Sequence, residues 1–145
     1  MNFLLAAEDD EDDRFLLQKV FNEQSPGIQL EFVYNGADLL TYLEKVNTGQ
    51  HNSYPSLILL DLNMPKMDGR QVLQKIKNMP QFKKIPVVIF STTKNEAEIR
   101  KCYELGANSY IVKPSTYRSL AEAIETLRKY WLNVVSLPEQ EQLSR

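Results

Sequence analysis

Residues 57–65 are Leu-Ile-Leu-Leu-Asp-Leu-Asn-Met-Pro. The first four form a purely apolar run that ends at Asp61. Such a run favours a strand that is covered on both faces, as in a parallel sheet flanked by helices. In an open parallel α/β sheet, ligands bind at the carboxyl ends of the strands. This stretch therefore predicts an α/β fold and places Asp61 where that fold carries its chemistry.

Further apolar runs and helical patterns alternate along the rest of the chain. The runs predict strands at residues 3–7, 28–34, 86–90 and 109–112. Apolar side chains at helical spacing predict helices at residues 12–23, 37–46, 70–79, 95–105 and 116–131. A β-α unit repeated in this way, with right-handed crossovers, builds a doubly wound parallel sheet with helices on both faces.

Composition narrows the class of protein. The chain has 145 residues, a formal net charge of -2 and no long basic run, which indicates one globular domain and argues against nucleic-acid binding. The N-terminus lacks a signal-peptide pattern and no window is apolar enough to span a membrane, so a cytoplasmic location is expected. Cys102, the single cysteine, is expected to be buried filler in a reducing interior. His51, the single histidine, lies in a polar loop and is expected at the surface.

Polar residues follow four of the predicted strands. They are Glu8-Asp9-Asp10, Asp61, Ser91-Thr92-Thr93 and Lys113-Pro114. Because the carboxyl ends of parallel strands share one edge, carboxylates, hydroxyls and an ammonium are expected to converge there.

That set of groups suits phosphoryl transfer onto a carboxylate. Glu8, Asp9 and Asp61 can supply oxygen ligands to a divalent ion, Mg²⁺ or Mn²⁺. Lys113 can hold a second phosphoryl oxygen, and the Ser91 hydroxyl with the Thr92 backbone N–H a third. Asp61 is the predicted nucleophile because it lies between these groups.

These residues resemble the hallmark positions of response-regulator receiver domains. The resemblance rests on Glu8-Asp9, residues 61–65 with Asp68-Gly69, Ser91-Thr92 and Lys113-Pro114, and it extends from Phe3 to about Trp131. It implies a flavodoxin-like sheet of order 2-1-3-4-5, with residues 1–131 as the receiver and 132–145 as an extension without a separate output domain. The protein would be a signalling switch rather than an enzyme in the ordinary sense, catalysing only its own phosphorylation and dephosphorylation.

The resemblance also assigns roles to single residues. It implies that Asp61 is the phosphoacceptor and that the backbone carbonyl of Asn63 is a metal ligand. Ser91 would be the switch hydroxyl and Tyr110 the aromatic switch residue. Asn63 and Thr93 fall where the family tunes the lifetime of the phosphorylated state, and the peptide bond from Lys113 to Pro114 is often cis in the family.

Two segments resemble the small stand-alone regulators paired with bacterial phytochrome kinases. They are the polar loop at residues 48–55 and the apolar stretch after the last helix, and they imply a histidine kinase partner. Trp131 and the tail can cap the protein's own core or form a homodimer contact, and the second reading is preferred.

Residues 10–13 are expected to lie mainly on the surface as an acidic first turn of helix.

Other functions remain open at this stage. A flavin or nucleotide module would need a loop after the first strand that receives phosphate, where this chain is acidic. An aspartyl phosphatase commonly has a second acid two residues after its nucleophile, where this chain has Asn63. A degenerate receiver that binds partners without phosphorylation is the main alternative, and the complete set of pocket residues argues against it.

Overall fold

The computed structural model describes residues 3–49 and 54–138, and its centre is a sheet of five parallel strands. The strands are β1 (Phe3–Ala7), β2 (Gln29–Val33), β3 (Leu57–Leu60), β4 (Val87–Ser91) and β5 (Ser109–Val112). Their order across the sheet is β2-β1-β3-β4-β5, so the predicted doubly wound, flavodoxin-like fold is confirmed.

One helix follows each strand. The helices are α1 (Glu11–Gln24), α2 (Gly36–Asn47), α3 (Gly69–Asn78), α4 (Glu96–Glu104) and α5 (Tyr117–Arg128). Each begins at a side-chain cap that satisfies an otherwise unpaired backbone N–H, such as Asp68 before α3 and Thr116 before α5. Past α4, Gly106 has a φ of +108°, a left-handed conformation that favours glycine at the end of a helix.

Apolar side chains fill both faces of the sheet. Alternate residues of β1 point to opposite sides, with Leu5 in one cluster and Leu4 in the other. Helices α2, α3 and α4 cover the first cluster, and α1 and α5 cover the second. Cys102 belongs to the first cluster as a buried free thiol, as predicted.

The last helix departs from its prediction. It is α-helical only to Arg128 and continues as a π-helical segment from Lys129 to Val134, where the N–H of Val135 donates to the carbonyl oxygen of Tyr130. The apolar spacing of residues 116–131 does not reveal this wider turn, because almost all of that stretch lies before the π-helical segment begins at Lys129.

The C-terminal segment packs partly on the protein itself. Leu132 is buried, and Trp131 and Leu137 pack against the second cluster. Tyr130 and Val134 stay exposed, with 54% and 72% of their surface accessible. His51 and the end of the predicted extension, residues 139–145, lie outside the described residues.

Within the described part of the chain, no helix combines the length and the apolar character that crossing a membrane requires.

Candidate functional site

The register of the sheet brings the predicted site residues to one edge. Ala7 pairs with Leu60, so the next residues, Glu8 and Asp61, lie side by side at the ends of β1 and β3. The backbone N–H of Asp61 donates to the carbonyl oxygen of Ala7 at 3.1 Å and holds this alignment. The carboxyl ends of these strands therefore form the floor of the site.

Three carboxylates meet on that floor. Glu8, Asp9 and Asp61 each offer an oxygen, and these oxygens all lie within 4.8 Å of one another. Glu8 and Asp61 are buried, whereas Asp9 is exposed at the rim. Hard oxygen donors gathered so closely, with one side open to solvent, can hold a divalent cation such as Mg²⁺ or Mn²⁺. The three carboxylates among the predicted metal ligands are thus brought together.

Lys113 balances the negative charge of the cluster. Its backbone N–H donates to the carbonyl oxygen of Ser91 at 2.8 Å, which fixes its place beside β4. The ammonium Nζ lies 2.6 Å from Glu8 Oε1 and 3.5 Å from Asp61 Oδ2. It therefore reaches the predicted nucleophile and the buried end of the acidic cluster at once.

The protonation of these groups follows from their burial and their charges. Burial by itself lowers the pKa of the Lys113 ammonium, but the hydrogen bond to Glu8 and the negative charges of Glu8 and Asp61 outweigh it and raise the pKa. Lys113 therefore stays charged across the neutral range. Burial raises the pKa of the Glu8 carboxyl above its usual value, although Lys113 opposes that rise.

The peptide bond between Lys113 and Pro114 is trans, because no peptide bond among residues 3–49 and 54–138 is cis. The expectation of a cis bond is therefore wrong for this structure. The direction of the lysine side chain is set by the carboxylates around its ammonium.

Ser91 and its neighbours form the second wall of the site. Ser91 is fully buried at the end of β4, while Thr92 beside it is exposed. The backbone N–H of Thr93 donates to Ser91 Oγ at 3.3 Å, and the Tyr110 hydroxyl donates to the carbonyl oxygen of Thr93 at 2.8 Å. The predicted switch residues Ser91 and Tyr110 are thus joined through the backbone of Thr93, and Tyr110 lies outside the acidic cluster.

The loop after Asp61 forms the third wall. The backbone N–H of Asn63 donates to Asp61 Oδ1 at a long 3.5 Å, so this peptide lies directly beside the predicted nucleophile. Lys66 and Met67 have positive φ values of 50 and 77, which non-glycine residues seldom adopt. Gly69 lies so close to the strand that a Cβ there would be 2.3 Å from the carbonyl oxygen of Asp61. Backbone packing therefore holds the loop against the acceptor.

The sequence prediction missed the role of Asp13 in the site. Asp13, expected at the surface, is half-exposed on the first turn of α1, and its Oδ2 lies 2.9 Å from Lys113 Nζ. The rest of the acidic run behaves as predicted: Asp10 caps α1 by accepting the Asp13 backbone N–H, and Glu11 and Asp12 are exposed. The error arose because α1 starts directly above the strand ends, which turns one carboxylate of its first turn inward.

Arg14 supports the same corner and was also not predicted. Its guanidinium donates to the carbonyl oxygen of Glu8 at 3.1 Å and stacks on the Tyr34 ring at 4.1 Å from the centroid. These contacts hold the backbone of Glu8 without touching its carboxylate. An arginine on a predicted surface helix gives no sequence signal for such a role.

Comparison with known proteins agrees with this geometry. The family model of the response regulator receiver domain matches residues 4–125. The response regulator Rcp1 of Synechocystis sp. is 36% identical over 135 residues, which are 93% of this chain and 92% of Rcp1.

Solved structures agree as well. The phosphorylated cyanobacterial phytochrome response regulator RcpA superposes with a TM-score of 0.88 at 36% identity, over 95% of this chain and 99% of that one. The Mn²⁺-bound form of Rcp1 superposes with a TM-score of 0.86 at 34% identity, over 96% of this chain and 100% of that one. The chain therefore belongs to the response regulator receiver domain family.

Proposed function

We propose that this receiver domain accepts a phosphoryl group on Asp61 from a histidine kinase, with a divalent ion bound, and passes the signal on by a change of conformation and protein contact. The observation that carries the proposal is the meeting of Glu8, Asp9 and Asp61 oxygens within 4.8 Å, with the Lys113 ammonium 3.5 Å from Asp61. A buried carboxylate flanked by anions on one side and a cation on the other suits this chemistry.

The acidic cluster fits a hard divalent ion. We propose Mg²⁺, with Mn²⁺ able to replace it, held by the carboxylates of Glu8, Asp9 and Asp61 and by the backbone carbonyl of Asn63. The Mn²⁺-bound crystal form of Rcp1 supports a site of this kind in a similar chain. When bound, the ion offsets the negative charge of the acids and of the incoming phosphoryl group.

The transfer itself needs few groups. An Asp61 carboxylate oxygen attacks phosphorus, an O–P bond forms, and the P–N bond to the donor histidine breaks with its electrons going to nitrogen. Lys113 would donate to one phosphoryl oxygen, and the Ser91 hydroxyl with the Thr92 backbone N–H would donate to another. Attack of water on phosphorus later breaks the bond between phosphorus and the Asp61 oxygen, which releases inorganic phosphate and restores the carboxylate. We expect Asn63 and Thr93 to influence how fast this happens.

The signal would leave the site through the wall that begins at Ser91. Movement of the Ser91 hydroxyl toward a phosphoryl oxygen would pull on Thr93, whose N–H donates to it. Thr93 is joined in turn to the Tyr110 hydroxyl at 2.8 Å. We therefore expect Tyr110 to report the state of Asp61 to the surface around β5.

We further propose that the kinase is of the phytochrome type. The similarity to RcpA, described as a cyanobacterial phytochrome response regulator, covers 95% of this chain and supports this assignment. The buried free thiol of Cys102 suits the cytoplasm, where we expect this exchange to take place.

The function is tested by phosphorylation in solution. Incubation with Mg²⁺ and acetyl phosphate is expected to attach one acid-stable, hydroxylamine-labile phosphate, seen as a mass gain and mapped to Asp61 by mass spectrometry. Removal of the ion with EDTA is expected to stop the labelling, because the charge of the acids would then repel the donor. Failure of the wild-type protein to gain phosphate under these conditions would leave the degenerate receiver as the better reading.

We also propose a homodimer through the C-terminal segment. Exposed Tyr130 and Val134 leave an apolar surface beside the buried Leu132. Sedimentation velocity is expected to detect a dimer. Beryllofluoride, a mimic of the phosphoryl group, is expected to strengthen this dimer, and Val134→Lys is expected to weaken it. The control is Tyr103→Lys, which alters an exposed ring on α4 and should leave the dimer intact. A monomer at every concentration, with or without beryllofluoride, would contradict this surface.

A further inference from the structure

Asp13 is a partner of Lys113 that lies outside the acidic cluster. The lysine ammonium has three N–H donors and contacts three carboxylates, at 2.6 Å for Glu8, 2.9 Å for Asp13 and 3.5 Å for Asp61. The contact with the predicted acceptor is the longest of the three. The ammonium is therefore drawn away from Asp61 toward Glu8 and Asp13.

A bound cation would make the three carboxylates unequal in how strongly they attract the Lys113 ammonium. Glu8 and Asp61 belong to the cluster that can share a divalent ion, and Asp13 does not. An ion bound there would offset the charge of Glu8 and Asp61 but would leave the Asp13 carboxylate facing the lysine. Asp13 then becomes the main counter-ion that competes with a phosphoryl group for Lys113.

We propose that Asp13 is a positioning residue that attenuates the hold of Lys113 on the phosphoryl group. The proposal rests on phosphorylation of Asp61 as stated above. The charge of Asp13 partly neutralises the lysine and also repels the phosphoryl oxygens that approach it. The phosphorylated state is consequently held less tightly than Lys113 alone would hold it.

The size of the effect follows from the exposure of Asp13. Its side chain is 38% accessible, against 3% for Glu8 and 9% for Asp61, so water screens its pairing with the lysine. A half-exposed ion pair of this kind is worth up to about 1 kcal/mol, which corresponds to about a fivefold change in an equilibrium constant.

The test is the affinity for beryllofluoride, a phosphoryl mimic, measured by calorimetry at saturating Mg²⁺. Asp13→Asn keeps the shape of the side chain and removes its charge, and it is expected to tighten binding about three- to fivefold. Asp13→Ser, a second uncharged variant, is expected to act in the same direction. Asp13→Glu keeps the charge within reach of Lys113 and is expected to stay within about twofold of the wild type.

The matched control is Asp12→Asn, which removes the same charge from the same helical turn. Asp12 is exposed and is not among the carboxylates that Lys113 contacts. Its effect on beryllofluoride binding should be small, and the gain from Asp13→Asn should shrink as salt is added.

Three results would overturn the proposal: unchanged or weaker binding by Asp13→Asn, an equal gain from Asp12→Asn, or an equal gain from Asp13→Glu. If the wild type itself binds no beryllofluoride in the presence of Mg²⁺, that result contradicts the proposed phosphorylation of Asp61 rather than the role of Asp13 alone. The two failures are therefore told apart by the wild-type measurement.

Discussion

Asp61→Asn is expected to abolish phosphorylation, lowering the incorporation of phosphate from acetyl phosphate at least about a hundredfold. The amide has nearly the same shape as the carboxylate, but its oxygen is a poor nucleophile and carries no formal charge. The backbone of Asp61 is held through its N–H to Ala7, so the strand should keep its place in the variant. Mass spectrometry after incubation with Mg²⁺ measures the result.

The same substitution is expected to weaken metal binding, because it removes one of the clustered acids. Thermal unfolding should then show a smaller stabilisation by Mg²⁺ than in the wild type. Asp12→Asn is again a suitable control, since Asp12 is exposed and lies outside the cluster. Retention of full labelling by Asp61→Asn would mean that another residue accepts the phosphoryl group.

Lys113→Met is expected to have the second largest effect, lowering the rate of phosphorylation about a hundredfold or more at saturating Mg²⁺. The methionine fills similar space but cannot donate to a phosphoryl oxygen. Because no ammonium then faces Asp61, charge that builds up on the phosphoryl oxygens is left without this partner even when the metal ion is bound. The measurement is the rate of mass gain with acetyl phosphate.

Stability and metal affinity should respond to Lys113→Met in opposite directions. Without the ammonium, buried Glu8 and Asp61 face each other uncompensated, and the free energy of unfolding without metal is expected to fall by about 3 kcal/mol. The affinity for Mg²⁺ is expected to rise, since the lysine no longer competes for the same carboxylates.

Lys129→Met serves as the control for Lys113→Met. Lys129 is exposed and pairs only on the surface with Glu125, so its loss should change stability little. Phosphorylation of Lys113→Met at the wild-type rate would contradict the role of this lysine as a donor to the phosphoryl group. Weaker binding of Mg²⁺ would contradict its competition with the ion for the carboxylates.

The parts of the structure that follow from apolar patterning were predictable. β1, β3 and β5 begin and end at the predicted residues, because short apolar runs are bounded sharply by polar residues. The gathering of Glu8, Asp61 and Lys113 followed from one rule, that parallel strands present their carboxyl ends at a common edge.

Other features depend on packing that a linear pattern does not encode. Whether Asp13 faces water or Lys113 depends on how α1 is rotated over the sheet, and both orientations suit an acidic first turn. The link from Tyr110 to the Thr93 carbonyl oxygen joins a side chain to a backbone atom of another strand end. The π-helical segment from Lys129 to Val134 arises from a single extra residue in one turn.

The close approach of Gly69 to the backbone of Asp61 makes one side of the site more rigid than the other. Because the start of α3 abuts the acceptor's own peptide, this helix can neither tilt nor slide toward the strand without displacing the nucleophile. Backbone packing fixes that side of the site, so we expect a rearrangement that starts at Asp61 to be accommodated on the opposite side, at the wall that begins at Ser91. Substitutions on the surface beyond β4 should therefore be tolerated more readily than any side chain at position 69.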